Sequence, residues 1–121
     1  MINNMWHPLE TNQQLDEVVK NSFKNPQLIF KYSSRCSVSD MAFQRFEKEW
    51  HSENIEHITP VFLDILSFRS ISNAVESFFK VRHESPQILL IKNGECVFHA
   101  SHFGIDCKEI TIYDQEVSSN S

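Results

Sequence analysis

Cys36 lies in the stretch YSSRCSVSD (32–40), with Arg35 immediately before it and Ser39 three residues beyond. Cysteine does chemistry as its thiolate, which attacks a disulfide sulfur and displaces a thiol. A second cysteine at the position of Ser39 would let the chain resolve its own mixed disulfide, but a serine cannot form that bond. The spacing therefore points to one-cysteine exchange completed by an outside thiol. Cys96 and Cys107 leave other routes open. Cys107 would serve as a distant resolving thiol if its Cα came within about 7 Å of that of Cys36. The string Cys96-x2-His99-x2-His102-x4-Cys107 also carries zinc-ligand types. On a regular strand Cys96 and His99 point to opposite faces, so no metal is expected there.

Composition limits the setting in which such a thiol would work. A chain of 121 residues suits one domain over 1–121, with 114–121 as a frayed tail. Its 40% hydrophobic content, with ten Phe and two Trp, supplies a core without cross-links. The formal charge of −5 lacks the basic footprint of a nucleic-acid binder. "MINNMWHPLE" shows neither the cationic start nor the apolar run of a secretory signal. No stretch approaches the roughly 18 apolar residues of a membrane span. Three cysteines do not make a disulfide framework and fit a reducing compartment. The expectation is a cytoplasmic protein, a monomer or weak dimer, with neither nucleic acid nor membrane as partner.

The elements that must position Cys36 follow from periodicity. Thr11 and Gln14 have capping-box spacing, and Leu15, Val18, Val19 and Phe23 mark one face of a helix over 11–24. "PQLIFKYS" (26–33) reads as a strand. From Ser37 to residue 53 the period becomes helical, with Val38, Met41, Ala42, Phe46 and Trp50 on one face. "HITPVFLDI" (57–65) reads as a second strand, whose pairing Pro60 confines to the later part. A helix over 70–81 turns Ile71, Ala74, Val75, Phe78 and Phe79 inward. In 86–101, two apolar runs flank Asn93-Gly94, the signature of a type I′ hairpin. A short helix over 105–112 completes the chain. The order predicts an α/β thioredoxin-like fold: a central mixed four-stranded sheet (βαβ, then ββα) flanked by helices, with an extra N-terminal helix.

That order places Cys36 after the first core strand, at the start of the next helix. Free N–H groups and the helix dipole favour an anion there, and Arg35 adds positive potential while Asp40 opposes it. The bland alternative is a small buried hydrophobe. Ser85-Pro86 precedes the strand "QILLIK". In the thioredoxin fold a cis-proline faces the active cysteine from this position, and the residue before it offers its backbone to the substrate.

"KYSSRCSVSDMAFQRF", "VRHESPQILLIKNGE" and "HASH" together resemble the monothiol bacilliredoxins of the bacillithiol system, over about residues 10–112. The family pattern Thr-Cys-Pro-Ile-Ser reads here Arg35-Cys36-Ser37-Val38-Ser39, so the cysteine and the final serine match and the proline is replaced. The resemblance implies an enzyme that removes bacillithiol from S-bacillithiolated client proteins. Cys36 would be the nucleophile, Ser39 its hydrogen-bonding neighbour, and bacillithiol a thiol co-substrate rather than a bound cofactor. Arg35, Ser37, Ser85, Pro86 and His102 would line the substrate site, with His102 brought back beside the cleft. Thioredoxins place a buried acid six residues before the nucleophile, where this chain has Phe30, so a full dithiol cycle is not expected. The alternatives are a Cys36–Cys107 dithiol reductase, an iron–sulfur carrier, and an inert binding module. Monothiol glutaredoxins that carry such clusters have a glycine after the cysteine, which is lacking here. Trp6 and Trp50 read as core.

Overall fold

Two strands are buried at five consecutive positions each, β2 (Gln27–Tyr32) and β4 (Gln87–Lys92). A ribbon apolar on both sides has to be covered on both, and the rest of the chain supplies the cover. The computed structural model describes residues 5–35, 37–52, 55 and 57–112, without the side chains of 51, 52 and 103. The other elements are β1 (His7–Pro8), α1 (Asn12–Asn21), α2 (Ser37–Ser52), β3 (Thr59–Asp64), α3 (Arg69–Phe79), β5 (Glu95–Ser101), a 3-10 turn (His102–Gly104) and α4 (107–112). The expected tail, 114–121, lies outside the described residues.

The sheet has five strands in the order β1-β3-β2-β4-β5, not four. β1, β3 and β2 run parallel, whereas β2/β4 and β4/β5 are antiparallel. The added strand is a two-residue pairing of His7 and Pro8 with Val61 and Phe62, too short to leave a periodic signal. Pro60 does not shorten β3, since it pairs in register with Leu28. β1 pairs with β3 only at Val61 and Phe62, so no ladder partner from β1 is needed at Pro60.

α2 and α4 cover one face, where Phe30, Phe43, Phe46, Trp50 and Ile110 surround Trp6. α1 and α3 cover the other, around Leu15, Ile29, Val75 and Leu89. The Trp6 ring is 5.1 Å from Phe43 and 5.9 Å from Trp50, centroid to centroid. Its indole N–H donates to Glu47 Oε2 at 3.0 Å. Trp6 thus fastens the N-terminal segment onto α2.

Local rules account for most boundaries. Thr11 and Gln14 form the capping box, with reciprocal bonds of 3.1 Å. α3 stops at Lys80, whose φ of 58° is left-handed, rather than running to 81. Asn93 and Gly94 both have positive φ, 54° and 79°, as a type I′ turn requires. Several assigned faces were too wide: Val38, Met41 and Phe78 are exposed, while Phe43, not expected inside, is buried. Phe23 is exposed, and its ring lies over the hairpin turn, where a Cβ on Gly94 would come within 3.1 Å of it. Among the described residues no helix is long and apolar enough to cross a membrane.

Trp6→Ala should cost about 3–5 kcal/mol in reversible denaturant unfolding, the range for truncating a buried aromatic. A cost near zero would mean that the N-terminal segment is not part of the cooperative core.

Candidate functional site

The antiparallel register brings two loops to one end of the sheet. Lys31 of β2 pairs with Gln87 of β4, so the chain leaving β2 and the chain entering β4 emerge together. On the β2 side, Ser34 and Arg35 form an exposed turn and Ser37 opens α2. Cys36, and with it the expectation about its helix-end setting, lies outside the described residues. Ser39 is fully buried, and its Oγ accepts the Ser33 N–H at 2.9 Å. The hydroxyl therefore ties the first turn of α2 back to the end of β2, a duty the sequence did not reveal. Asp40, whose charge would oppose an anion nearby, is engaged by the Tyr32 hydroxyl at 3.3 Å and by Gln44 at 2.9 Å. Burial, and then Asp40, push the Tyr32 phenol above its ordinary range.

On the β4 side the Ser85–Pro86 peptide bond is cis. The Pro86 carbonyl accepts the His102 N–H at 3.0 Å, which fixes the 3-10 turn beside it. His102 has a left-handed φ of 52° and an exposed side chain. Together with Val38, Met41, Ala42 and Arg45 it lines a groove of about 240 Å³, so the proline side and the start of α2 meet there. Arg45 is held by a 2.7 Å bond to the Ile105 carbonyl. Val38 and Met41, misassigned to the core, are the apolar lining of this groove.

Ser85 carries the one feature of the loop that its hydrogen bonds leave open: its Oγ is buried and has no hydrogen-bond partner. Everything around it is braced. The Gln87 amide donates to the Arg82 carbonyl at 2.9 Å and accepts the Glu84 N–H at 3.3 Å. The Ser101 hydroxyl donates to Glu84, whose carboxyl is held below its usual range by that bond. Glu76 accepts the His83 N–H at 2.6 Å, and Lys31 Nζ reaches His83 Nδ1 at 3.3 Å. Sequence reading missed Gln87, Glu76, Lys31 and His83. Of these only Lys31 left a signal, a lysine inside an apolar strand.

The remaining cysteines are divided between the two cores. Burial pushes the half-buried Cys96 thiol up to about 11, and its Sγ donates to the Phe98 carbonyl at 3.3 Å. Cys107 is fully buried among the residues under α2 and α4. The argument against zinc needs correction. A bulge at Val97 shifts the register, so Cys96 pairs with Ile91 and His99 with Leu89, both on the α1/α3 side. Cys96 and His99 therefore share a face, and Cys107 is the member of the string on the other side of the sheet. Among the described residues no three His, Cys, Asp or Glu side chains converge on a metal position.

Several solved structures share this architecture. A candidate oxidoreductase with a thioredoxin fold matches with a TM-score of 0.77 and 23% identity, covering 91% of this chain and 94% of its own. Malassezia sympodialis thioredoxin matches with a TM-score of 0.70 and 16% identity, covering 95% of this chain and 93% of its own. Fasciola hepatica thioredoxin gives 0.70 and 13%, over 90% and 97%. These likenesses establish the thioredoxin fold. The family model described as monothiol bacilliredoxin BrxC matches residues 7–110, from β1 into α4. On that match across most of its length, the chain belongs to the monothiol bacilliredoxin family.

Proposed function

We propose that this protein is a thiol–disulfide oxidoreductase that removes bacillithiol from S-bacillithiolated proteins by a one-cysteine route. The observation that carries the reading is the family match over a thioredoxin fold whose Cys-x-x position holds a buried, structurally engaged Ser39. In the first step the Cys36 thiolate attacks the bacillithiol sulfur of the client mixed disulfide. A Cys36–bacillithiol bond forms, the client's S–S bond breaks, and the client leaves as a thiolate that takes a proton from water. A second bacillithiol thiolate then attacks that adduct, releasing Cys36 as thiolate and bacillithiol as its disulfide. No electrons are lost or gained overall; the oxidising equivalent moves from client to small thiol.

Each neighbouring residue has a part in this scheme. Arg35 and the open end of α2 lower the energy of the thiolate, and Ser37 leaves the first-turn N–H free where the family pattern has proline. The loop at Ser85 and Pro86 receives the substrate, and its unpartnered hydroxyl donates to the sulfur that carries charge during exchange. Arg45 gives the adjoining groove a positive charge for the carboxylates of bacillithiol, and His102 adds a hydrogen-bonding ring at its rim. Cys107 is not needed, and its full burial in the core speaks against the dithiol route.

Iodoacetamide should alkylate Cys36 to saturation by about pH 7, against the unperturbed thiol value of about 8.5, with peptide mapping to separate Cys96 and Cys107. Reaction that rises only above about pH 8 would defeat the reading. Cys107→Ser should leave turnover of a bacillithiolated client within about twofold, whereas the dithiol route requires its loss. Ser85→Ala removes a buried hydroxyl that the free protein leaves unsatisfied, a state that costs about 1–3 kcal/mol. Its melting temperature should hold or rise while the exchange rate falls roughly tenfold, and Ser85→Thr should restore the rate. A variant that loses stability and keeps its rate would remove Ser85 from the scheme.

A further inference from the structure

Among the described residues Lys31 is the only charged side chain that is buried, and it is fully so. It follows Phe30, which belongs to the α2/α4 core, so alternation along β2 directs Lys31 to the α1/α3 side. Its Nζ lies 3.3 Å from His83 Nδ1, with Ser72 Oγ 3.4 Å from the same nitrogen. An ammonium has donors only, so with Lys31 charged the Nδ1 must accept and the imidazole is neutral, its proton on Nε2. His83 is an exposed loop residue three positions before Pro86, and it covers this buried charge. Lys31 is therefore a side-chain link between the strand that leads to Cys36 and the loop that ends at Ser85.

We propose that Lys31 is a positioning residue: its ammonium grips neutral His83 and so holds the 80–86 loop where a disulfide substrate docks. The proposal rests on the exchange reaction described above and adds a residue to it that touches neither substrate nor the reacting sulfur. Burying a cation is unfavourable, and a strand interior otherwise selects apolar residues, so Lys31 has a cost that packing alone does not explain.

The grip depends on a single proton count. Burial brings Lys31 down to about 8, opposed by Glu76 and Cys96, so the amine is charged at neutral pH. Burial and then Lys31 lower His83, which keeps the imidazole neutral; Glu76 on α3 and Glu84 in the loop oppose this, and Arg69 on α3 reinforces it. Acid strong enough to protonate His83 sets an imidazolium against an ammonium and turns the grip into repulsion. The loop then loses its hold from β2 while its backbone braces from Gln87 and Glu76 remain.

The test compares wild type with Lys31→Met, which keeps the length and removes the charge, in two reactions. Iodoacetamide alkylation of Cys36 requires no docking; exchange with a peptide carrying a bacillithiol mixed disulfide does. Alkylation profiles from about pH 5 to 9 should superimpose, while kcat/KM for the peptide falls about tenfold near pH 7.5, mainly through KM. The wild-type to variant ratio should shrink toward unity as the pH is lowered and His83, held below its ordinary range, takes its second proton. His83→Gln, at an exposed position, keeps an acceptor but cannot titrate, so its acid limb should be flatter than that of wild type; this arm decides if Lys31→Met does not fold. Alkylation and exchange falling together would mean that Lys31 acts on the thiol's charge, and overturns positioning. A ratio independent of pH, or exchange unchanged in Lys31→Met, overturns it as well. Wild type that fails to exchange with the peptide at all overturns the reaction itself, a result separated from the others by that control.

Discussion

The antiparallel pairing of β2 with β4 is the constraint on which the molecule depends. Both strands are buried on both faces and mostly apolar, so neither can lie at a wetted surface, and each helps satisfy the other's backbone hydrogen bonds. Once they are paired at the middle of the sheet, two consequences are unavoidable. Helices must cover both faces, and the chain after Tyr32 must leave the sheet next to the chain before Gln87. The site is therefore set by the register of two strands rather than by any contact made within the site.

At that end of the sheet several local costs gather. A buried lysine, a buried serine hydroxyl without a partner and a non-glycine residue at positive φ all occur around one loop. In the Trp6 core, by contrast, rings pack edge-to-face or tilted and the indole N–H is satisfied. Local costs gathered at one place on an otherwise consistent scaffold are what a site for chemistry looks like physically.

Much of this was legible in the sequence because it rests on short-range rules. The capping box of α1, the Asn93-Gly94 turn and the helix opening at Ser37 each involve residues within a few positions of one another. The serine, proline and histidine of the candidate site were legible as motifs. What escaped depends on long-range placement. β1 exists only because Trp6 carries His7 and Pro8 to β3. The groove lining of Val38 and Met41 looked like core, since periodicity marks an apolar residue without saying whether a neighbour covers it. Ser39 Oγ accepts an N–H from six residues earlier, a bond that spacing does not disclose, while its expected contact with Cys36 lies outside the described residues. The register shift at Val97 defeated a parity argument that holds only for a regular strand.

That same bulge bears on how the molecule behaves at high protein concentration. The outermost strands are β1 and β5, and a flat outer strand with free N–H and C=O groups is a template on which other chains aggregate. β1 offers only two residues, one of them a proline without a donor, and β5 is broken in its ladder at Val97. Neither margin gives an extended chain an uninterrupted row to join. The sheet is thereby guarded at both margins against joining other extended chains.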